Sequence, residues 1–220
     1  QYQTAADTRR QLAFSKEIVR AKGLNQRTLL RRNAQPRPEK NMQAITRQLR
    51  EVAQAKDIAA LLGHEGTIAA NYFAAFQSML HGRQLPETWS FKSRNRRPPK
   101  DPINALLSFG YALLAKECTV ALLAEGLDPW WGIYHQPRHG RPGLALDVME
   151  QFRAPVVDSA VLTAVNTGMV TQAGFVCTAN GCAMQSAAKK PLIQAYENRL
   201  DTLVTHRSEE HTSELQSLSH

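Results

Sequence analysis

Cysteine is scarce in this chain: Cys118, Cys177 and Cys182 are the three among 220 residues. Their odd number and spacing match no zinc-binding pattern, so the expectation is reduced thiols in a cytoplasmic protein. A Cys177–Cys182 disulfide or metal pair is the alternative. Long apolar runs are lacking as well. No stretch reads as the ~20 consecutive apolar residues of a membrane span, and no basic-then-apolar leader opens the chain. Runs rich in β-formers are missing too, which argues against a fold built on sheets. Acidic residues are outnumbered, 19 Asp and Glu against 27 Lys and Arg, for a net charge of +8. That excess suits a polyanion such as nucleic acid, although basic globular proteins without such a partner are frequent.

What is present is helical periodicity around a 43% hydrophobic composition. The pattern predicts helices over residues 11–30 and 43–62, separated by the breaker NAQPRP. HEGTIAANYFAAFQSML continues at helical spacing, with Gly66 placed at a short break or in a first turn. Residues 81–102 read as a mobile basic loop holding Lys92, Arg94, Arg96, Arg97 and Lys100. A solvated linker and a phosphate-contacting segment are both open readings of it. Pro102 then opens an apolar helix expected at the centre of the bundle, with Gly126 as its C-cap. Residues 144–152 are helical, Arg153-Ala154-Pro155 should stop that helix, and residues 156–170 form another. Residues 175–184 can form a small hairpin, and a final helix over 190–206 places Pro191 near its first position. The class is all-α. The stretch RSEEHTSELQS at 207–217 looks like a translated sequencing adapter. The native part is therefore expected to be residues 1–206, one helical domain and a fragment of a longer protein, with 207–220 as read-through. Without that tail, 26 basic residues face 16 acidic ones, a net of +10.

The chemistry-bearing stretch is GLDPWWGIYHQPRHGRPGLALDVMEQF. His135 sits in a turn-rich segment, and Asp147 and Glu150 follow three residues apart on a helix, where they can converge on one point. Glu65 is a further carboxylate, in an Ala- and aromatic-rich helix, and burial there would demand a cation or a hydrogen-bonded partner. One imidazole with carboxylates suits a hard metal ion. Each residue also has an ordinary reading: Asp147 and Glu150 as an exposed helix face, and His135, His64 and His139 as satisfied turn residues.

Taken together and in this order, HEGTIAANYF, DPINALLSFGYALL, GLDPWWGIYH, LALDVMEQFR and YENRLDTLVTH resemble the CRISPR-associated endonuclease of spacer acquisition, the integrase family called Cas-one. The similarity covers residues 1 to about 206. It implies the all-helical catalytic domain of that family, with the preceding N-terminal β-sandwich domain absent from this chain. It further implies Glu65, His135 and Glu150 as ligands to Mg²⁺ or Mn²⁺, with Asp147 as an assisting acid that orders a water or orients His135. The implied reaction is phosphoryl transfer, in which the 3′-hydroxyl of a short DNA duplex attacks a backbone phosphate of the CRISPR repeat. The implied partners are double-stranded DNA (protospacer and repeat), a second copy in the full-length family, and a small Cas-two subunit. Arg138 and Arg141, beside the histidine, are the leading candidates for phosphate contacts, followed by Arg94, Arg96, Arg97 and Lys100. A non-catalytic basic helical DNA-binding module is the alternative.

Overall fold

The computed structural model describes residues 1–82, 89–136 and 138–217, with side chains through residue 202. The end of the YENRLDTLVTH motif and the 207–220 tail therefore lie outside the described side chains.

The expected all-α architecture is present. A short helix, α1 (Tyr2–Ala6), leads into α2 (Thr8–Asn33), which starts where the Asp7 carboxylate accepts the Arg9 and Arg10 backbone N–H groups. The second and third expected helices are divided differently from the sequence reading. α3 (Glu39–Gln54) ends before Asp57, whose side chain caps α4 (Ile58–Ala74) by accepting from the Ala60 N–H. The break thus falls at residues 55–57, and Gly66 lies inside α4 rather than at its start. An aspartate cap outranked the run of apolar spacing across it. Helices α2, α3 and α4 pack on one another, and a 3₁₀ turn, Phe76–Met79, closes this unit.

The basic segment is anchored over residues 89–101 rather than loose. Trp89 and Phe91 are buried, and the Phe91 ring lies 5.0 Å from Phe76. Two aromatic anchors overcome the loop-like composition around them. Residues 83–88 of the expected loop fall outside the described residues.

Helix α5 (Pro102–Ala124) begins with Pro102 at its first position and Asp101 as cap, as its sequence suggests. Gly126, at φ +70°, ends it as expected, with the Leu127 N–H reaching back to the Leu122 carbonyl. By length and composition this helix could cross a membrane, contrary to the reading that no run approaches that size. Here one side of it, including Ile103, Leu106, Leu107 and Leu114, is packed in the core. Helix α6 (Gly143–Glu150) ends before Arg153-Ala154-Pro155, as expected, and the chain continues through a π turn, Arg153–Asp158, into α7 (Ser159–Asn166). The wider π turn absorbs the proline, which has no N–H to donate.

The expected hairpin forms as β1 (Phe175–Thr178) and antiparallel β2 (Gly181–Met184). Its register sets Cys177 opposite Cys182, and the two are joined as a disulfide. The free thiols are thus one, buried Cys118, rather than the three expected. The hairpin register, rather than the spacing alone, decides for the alternative pairing. Helix α8 (Ser186–Ser217) starts four residues earlier than expected, so Pro191 lies inside it.

Gly110 of α5 lies against the π turn so closely that an added Cβ would meet Val157 Cγ1 at 2.5 Å. Gly110→Ala is expected to destabilise the fold by about 1–3 kcal/mol through overpacking, measured by urea denaturation.

Candidate functional site

Helix α2 buries Ile18, Val19, Lys22, Gln26, Leu29 and Leu30, a stripe at helical spacing that contains one cation. Helix α4 does the same with Leu61, Ile68 and Tyr72, and Glu65 falls on that stripe. Helix α6 ends in Glu150, buried where it meets the other two. The three charged side chains meet. Lys22 Nζ pairs with Glu65 Oε1 and lies 2.7 Å from Glu150 Oε2. Glu150 also receives Arg153 Nη1 at 3.1 Å. Lys22 and Glu150 are each 6% exposed at the side chain and Glu65 is 22% exposed, so the cluster opens to solvent on the Glu65 side.

Burial alone pushes the Glu150 carboxyl up. Lys22, then Arg153, then His135 outweigh it and hold the group down at about 2. Glu150 is therefore a carboxylate at any physiological pH, and His135 is close enough to contribute to that.

Asp147 has a different task from the one its spacing suggested. It does not converge with Glu150 on a shared point. Fully buried, its Oδ2 accepts the backbone N–H groups of Ile133 (2.6 Å) and Tyr134 (2.9 Å), and its Oδ1 that of His135 (2.8 Å). The same Oδ1 lies 2.7 Å from His135 Nδ1. An ionised carboxylate can only accept, so Nδ1 carries a hydrogen, and in the neutral tautomer this leaves the Nε2 lone pair free. The loop is pressed onto α6 by two glycines. A Cβ on Gly132 would strike the His135 carbonyl, and one on Gly143 would meet the Gly132 nitrogen at 2.8 Å. The readings of Asp147 and Glu150 as an exposed face, and of both as direct partners of one ion, are corrected: each is buried, with its own partners.

No trio of the described His, Cys, Asp and Glu side chains is closed around one point. The two glutamates are closed around an ammonium instead, an internal cation standing between them. The donor set suits a hard divalent ion: two carboxylates facing one positive charge, with an oriented imidazole nearby. Tyr134 adds a buried hydroxyl with no hydrogen-bond partner among the described residues. Burial, and then the charges of Glu65, Glu150 and Asp147, push that hydroxyl well above its ordinary range.

Of the candidate phosphate contacts, Arg96, Arg97, Lys100 and Arg138 are exposed and Arg141 is half-buried. Arg138 and Arg141 pair across a tight turn after the histidine, beside His139 and the exposed Trp130 and Trp131. Arg94 is not placed for such a role. It donates to Asn104 Oδ1 (2.8 Å) and Ser108 Oγ (3.0 Å) and lies over the Tyr111 ring. His64 faces Gln48, at 2.8 Å, away from the cluster.

Sequence reasoning missed Lys22, Arg153 and Asp158. Lys22 was findable as a cation on an apolar stripe, and Arg153 as a residue one helical turn after Glu150. Asp158 lies at the centre of the packed core. It accepts from Tyr72 Oη (2.7 Å) and Tyr111 Oη (2.6 Å), and Arg153 lies 4.6 Å over the Tyr111 ring. Glu65 and Tyr72 share α4, so this hub and the carboxylate cluster brace each other through the helix and through Arg153.

Burial pushes the Asp158 carboxyl up to about 6, against the tyrosine hydroxyls and the charges of Arg153 and Arg94. The folded state therefore holds a proton that the unfolded state, with its ordinary value of 3.8, has released. This group's contribution to stability falls as pH rises from about 4 to about 6. Asp158→Asn is expected to flatten the thermal midpoint against pH in that window, read by circular dichroism. Asp147→Asn should lose about 2–4 kcal/mol, because an amide cannot accept from all four of these donors at once. Chemical denaturation checks this, with exposed Glu51→Gln as a control expected within about 0.5 kcal/mol of the unaltered chain.

A profile described as "CRISPR associated protein Cas1" matches residues 1–198. The chain is 45% identical over 213 residues to a CRISPR-associated exonuclease Cas4/endonuclease Cas1 fusion of Geobacter sulfurreducens; the match covers 94% of this chain and 38% of that one. Among solved structures it is similar to a casposase bound to integration product, with a TM-score of 0.79 and 28% identity over 90% of this chain and 55% of the other. It is similar also to a chain of a partial Cas6-RT-Cas1–Cas2 complex, with a TM-score of 0.81 and 29% identity over 90% and 60%. The chain thus spans under two-fifths of the length of the Geobacter relative. Helical fold, ordered motifs and profile agree: the chain belongs to the Cas1 family of CRISPR-associated proteins.

Proposed function

We propose that this chain is the helical catalytic part of a divalent-metal-dependent DNA endonuclease and integrase that inserts new spacers into CRISPR arrays. The observation that carries the reading is the pair of glutamates, half-buried Glu65 and buried Glu150, held about one cation near an imidazole fixed by Asp147. The likeness to a casposase bound to integration product supports the reaction class. Glu65, His135 through Nε2, and Glu150 would hold Mg²⁺ or Mn²⁺. The bound ion would polarise a backbone phosphate and offset charge on the attacking and leaving oxygens.

The chain's own residues do the positioning. Asp147 fixes the imidazole and its tautomer. Arg153, within reach of both Glu150 oxygens, acts with Lys22 to keep that carboxyl ionised. Arg138, Arg141, Arg96, Arg97 and Lys100 offer positive charge to the DNA backbone, a contribution that weakens with salt and reads no sequence. In the transfer, the 3′-hydroxyl oxygen of the incoming duplex bonds to phosphorus of the repeat strand. The bond from that phosphorus to the displaced strand's oxygen breaks, and a proton passes from the attacking hydroxyl to the departing oxygen through solvent. Pairing with a second copy and docking to a Cas2 subunit belong to the same proposal, supported by the likeness to a chain of a Cas1–Cas2 assembly.

Glu65→Ala, His135→Ala and Glu150→Ala are each expected to reduce metal-dependent cleavage and joining by about 10²-fold or more in the full-length parent protein, while DNA affinity stays within a few-fold. Retained activity in all three would sink the assignment. The alternative, a non-catalytic DNA-binding module, predicts salt-sensitive binding, no turnover, and no response to a chelator.

A further inference from the structure

Lys22 is assigned nothing by the reading above, yet it occupies the centre of the cluster. Its ammonium touches both glutamates proposed as metal ligands, and its side chain is as buried as Glu150. The remaining neighbour, Arg153, is already committed to Glu150 and to the Tyr111 ring. The four groups sum to zero: two carboxylates, one ammonium, one guanidinium. A site in that state has no net attraction for a divalent ion. Without a cation between them the two carboxylates would repel, with only Glu150 keeping a counter-charge, Arg153, which makes that arrangement unfavourable.

We propose that Lys22 is a built-in substitute cation. It holds Glu65 and Glu150 in ligating position while no divalent ion is bound, and it must withdraw for one to enter. It is a positioning residue, and it sets how tightly the metal binds. The geometry gives it an exit. The cluster opens on the Glu65 side, and a lysine's four-carbon stem can carry the ammonium to solvent while its methylenes stay packed. The consequence is a site that stays assembled without metal and binds it only against an internal competitor. Such a site binds metal weakly until something else, such as a polyanion, gives the displaced ammonium a new partner. This inference rests on the metal reading of the same residues.

The test is Mn²⁺ binding followed by electron paramagnetic resonance in the 220-residue chain and in Lys22→Met and Lys22→Arg. Removing one positive charge in contact with the ligands should tighten Mn²⁺ about tenfold or more in Lys22→Met. Lys22→Arg, which keeps the charge, should stay within about threefold of the unaltered chain. In parallel, Mn²⁺ should raise the thermal midpoint of Lys22→Met more than that of the unaltered chain, since the ion then replaces a missing counter-charge. If Lys22→Met is unfolded alone, recovery of its helical circular dichroism on adding Mn²⁺ supports the proposal, and failure to recover overturns it. Equal or weaker Mn²⁺ binding by Lys22→Met, or equal tightening by Lys22→Arg, also overturns it. If the unaltered chain binds Mn²⁺ and only the Lys22 effect is missing, the metal reading stands by itself. If neither the unaltered chain nor Lys22→Met binds Mn²⁺, both fall.

Discussion

Two carboxylates and an ammonium, brought out of water where three helices meet, set the terms for the rest of this domain. Glu65, Lys22 and Glu150 come from α4, α2 and α6, and the ammonium joins the two carboxylates. Buried ion pairs are a poor source of net stability, because desolvation offsets most of the attraction. They are demanding about geometry, however, since the loss of one member strands the others. The packing of α2 against α4, the π turn that follows α6, and the Arg153 contact all serve to keep that geometry fixed. A hydrophobic contact in the same position would tolerate a sliding helix. This cluster does not.

The histidine is handled on a similar principle with different means. Three consecutive backbone N–H groups and the imidazole converge on one carboxylate, Asp147, itself inaccessible to water. A segment rich in turn residues, 132–135, is thereby anchored to α6, and close Gly132–Gly143 packing leaves no room there for a side chain. Asp147 thus serves to hold the loop and the His135 ring. Glu150, one helical turn later, faces the ammonium instead. The two acids of one short helix have separate tasks because one faces the loop and the other faces α2.

The hub at Asp158 extends the same logic into the core. A carboxylate there satisfies two tyrosine hydroxyls that would otherwise be buried without partners, and Arg153 stacked on one of the rings ties the hub to the cluster. Polar groups in this domain are therefore concentrated along one connected path, from the solvent-facing Glu65 to the centre of the bundle. The surrounding surface carries exposed arginines and a lysine, whose attraction for any phosphate would depend on charge rather than fit.

Much of this was legible in the chain by itself. Helical spacing, Pro102 with its aspartate cap, and Gly126 after the apolar run are local signals, and local signals dictate where helices form and end. The ordered motifs singled out Glu65, His135, Asp147 and Glu150, and the need of a buried Glu65 for a cation followed from solvation alone. Other features depended on which side chains the folded chain brings together. The loop at 89–101 reads as solvated linker until Phe91 meets Phe76; Arg94 reads as a phosphate contact until Asn104 and Tyr111 claim it. Cys177 and Cys182 become partners only by register across a hairpin. Above all, the sequence by itself determined which charges would be buried, while the tertiary structure decided which charges meet. Lys22 stands 43 positions from Glu65, and the energy that joins them depends on distance in space, a quantity that spacing along the chain does not contain.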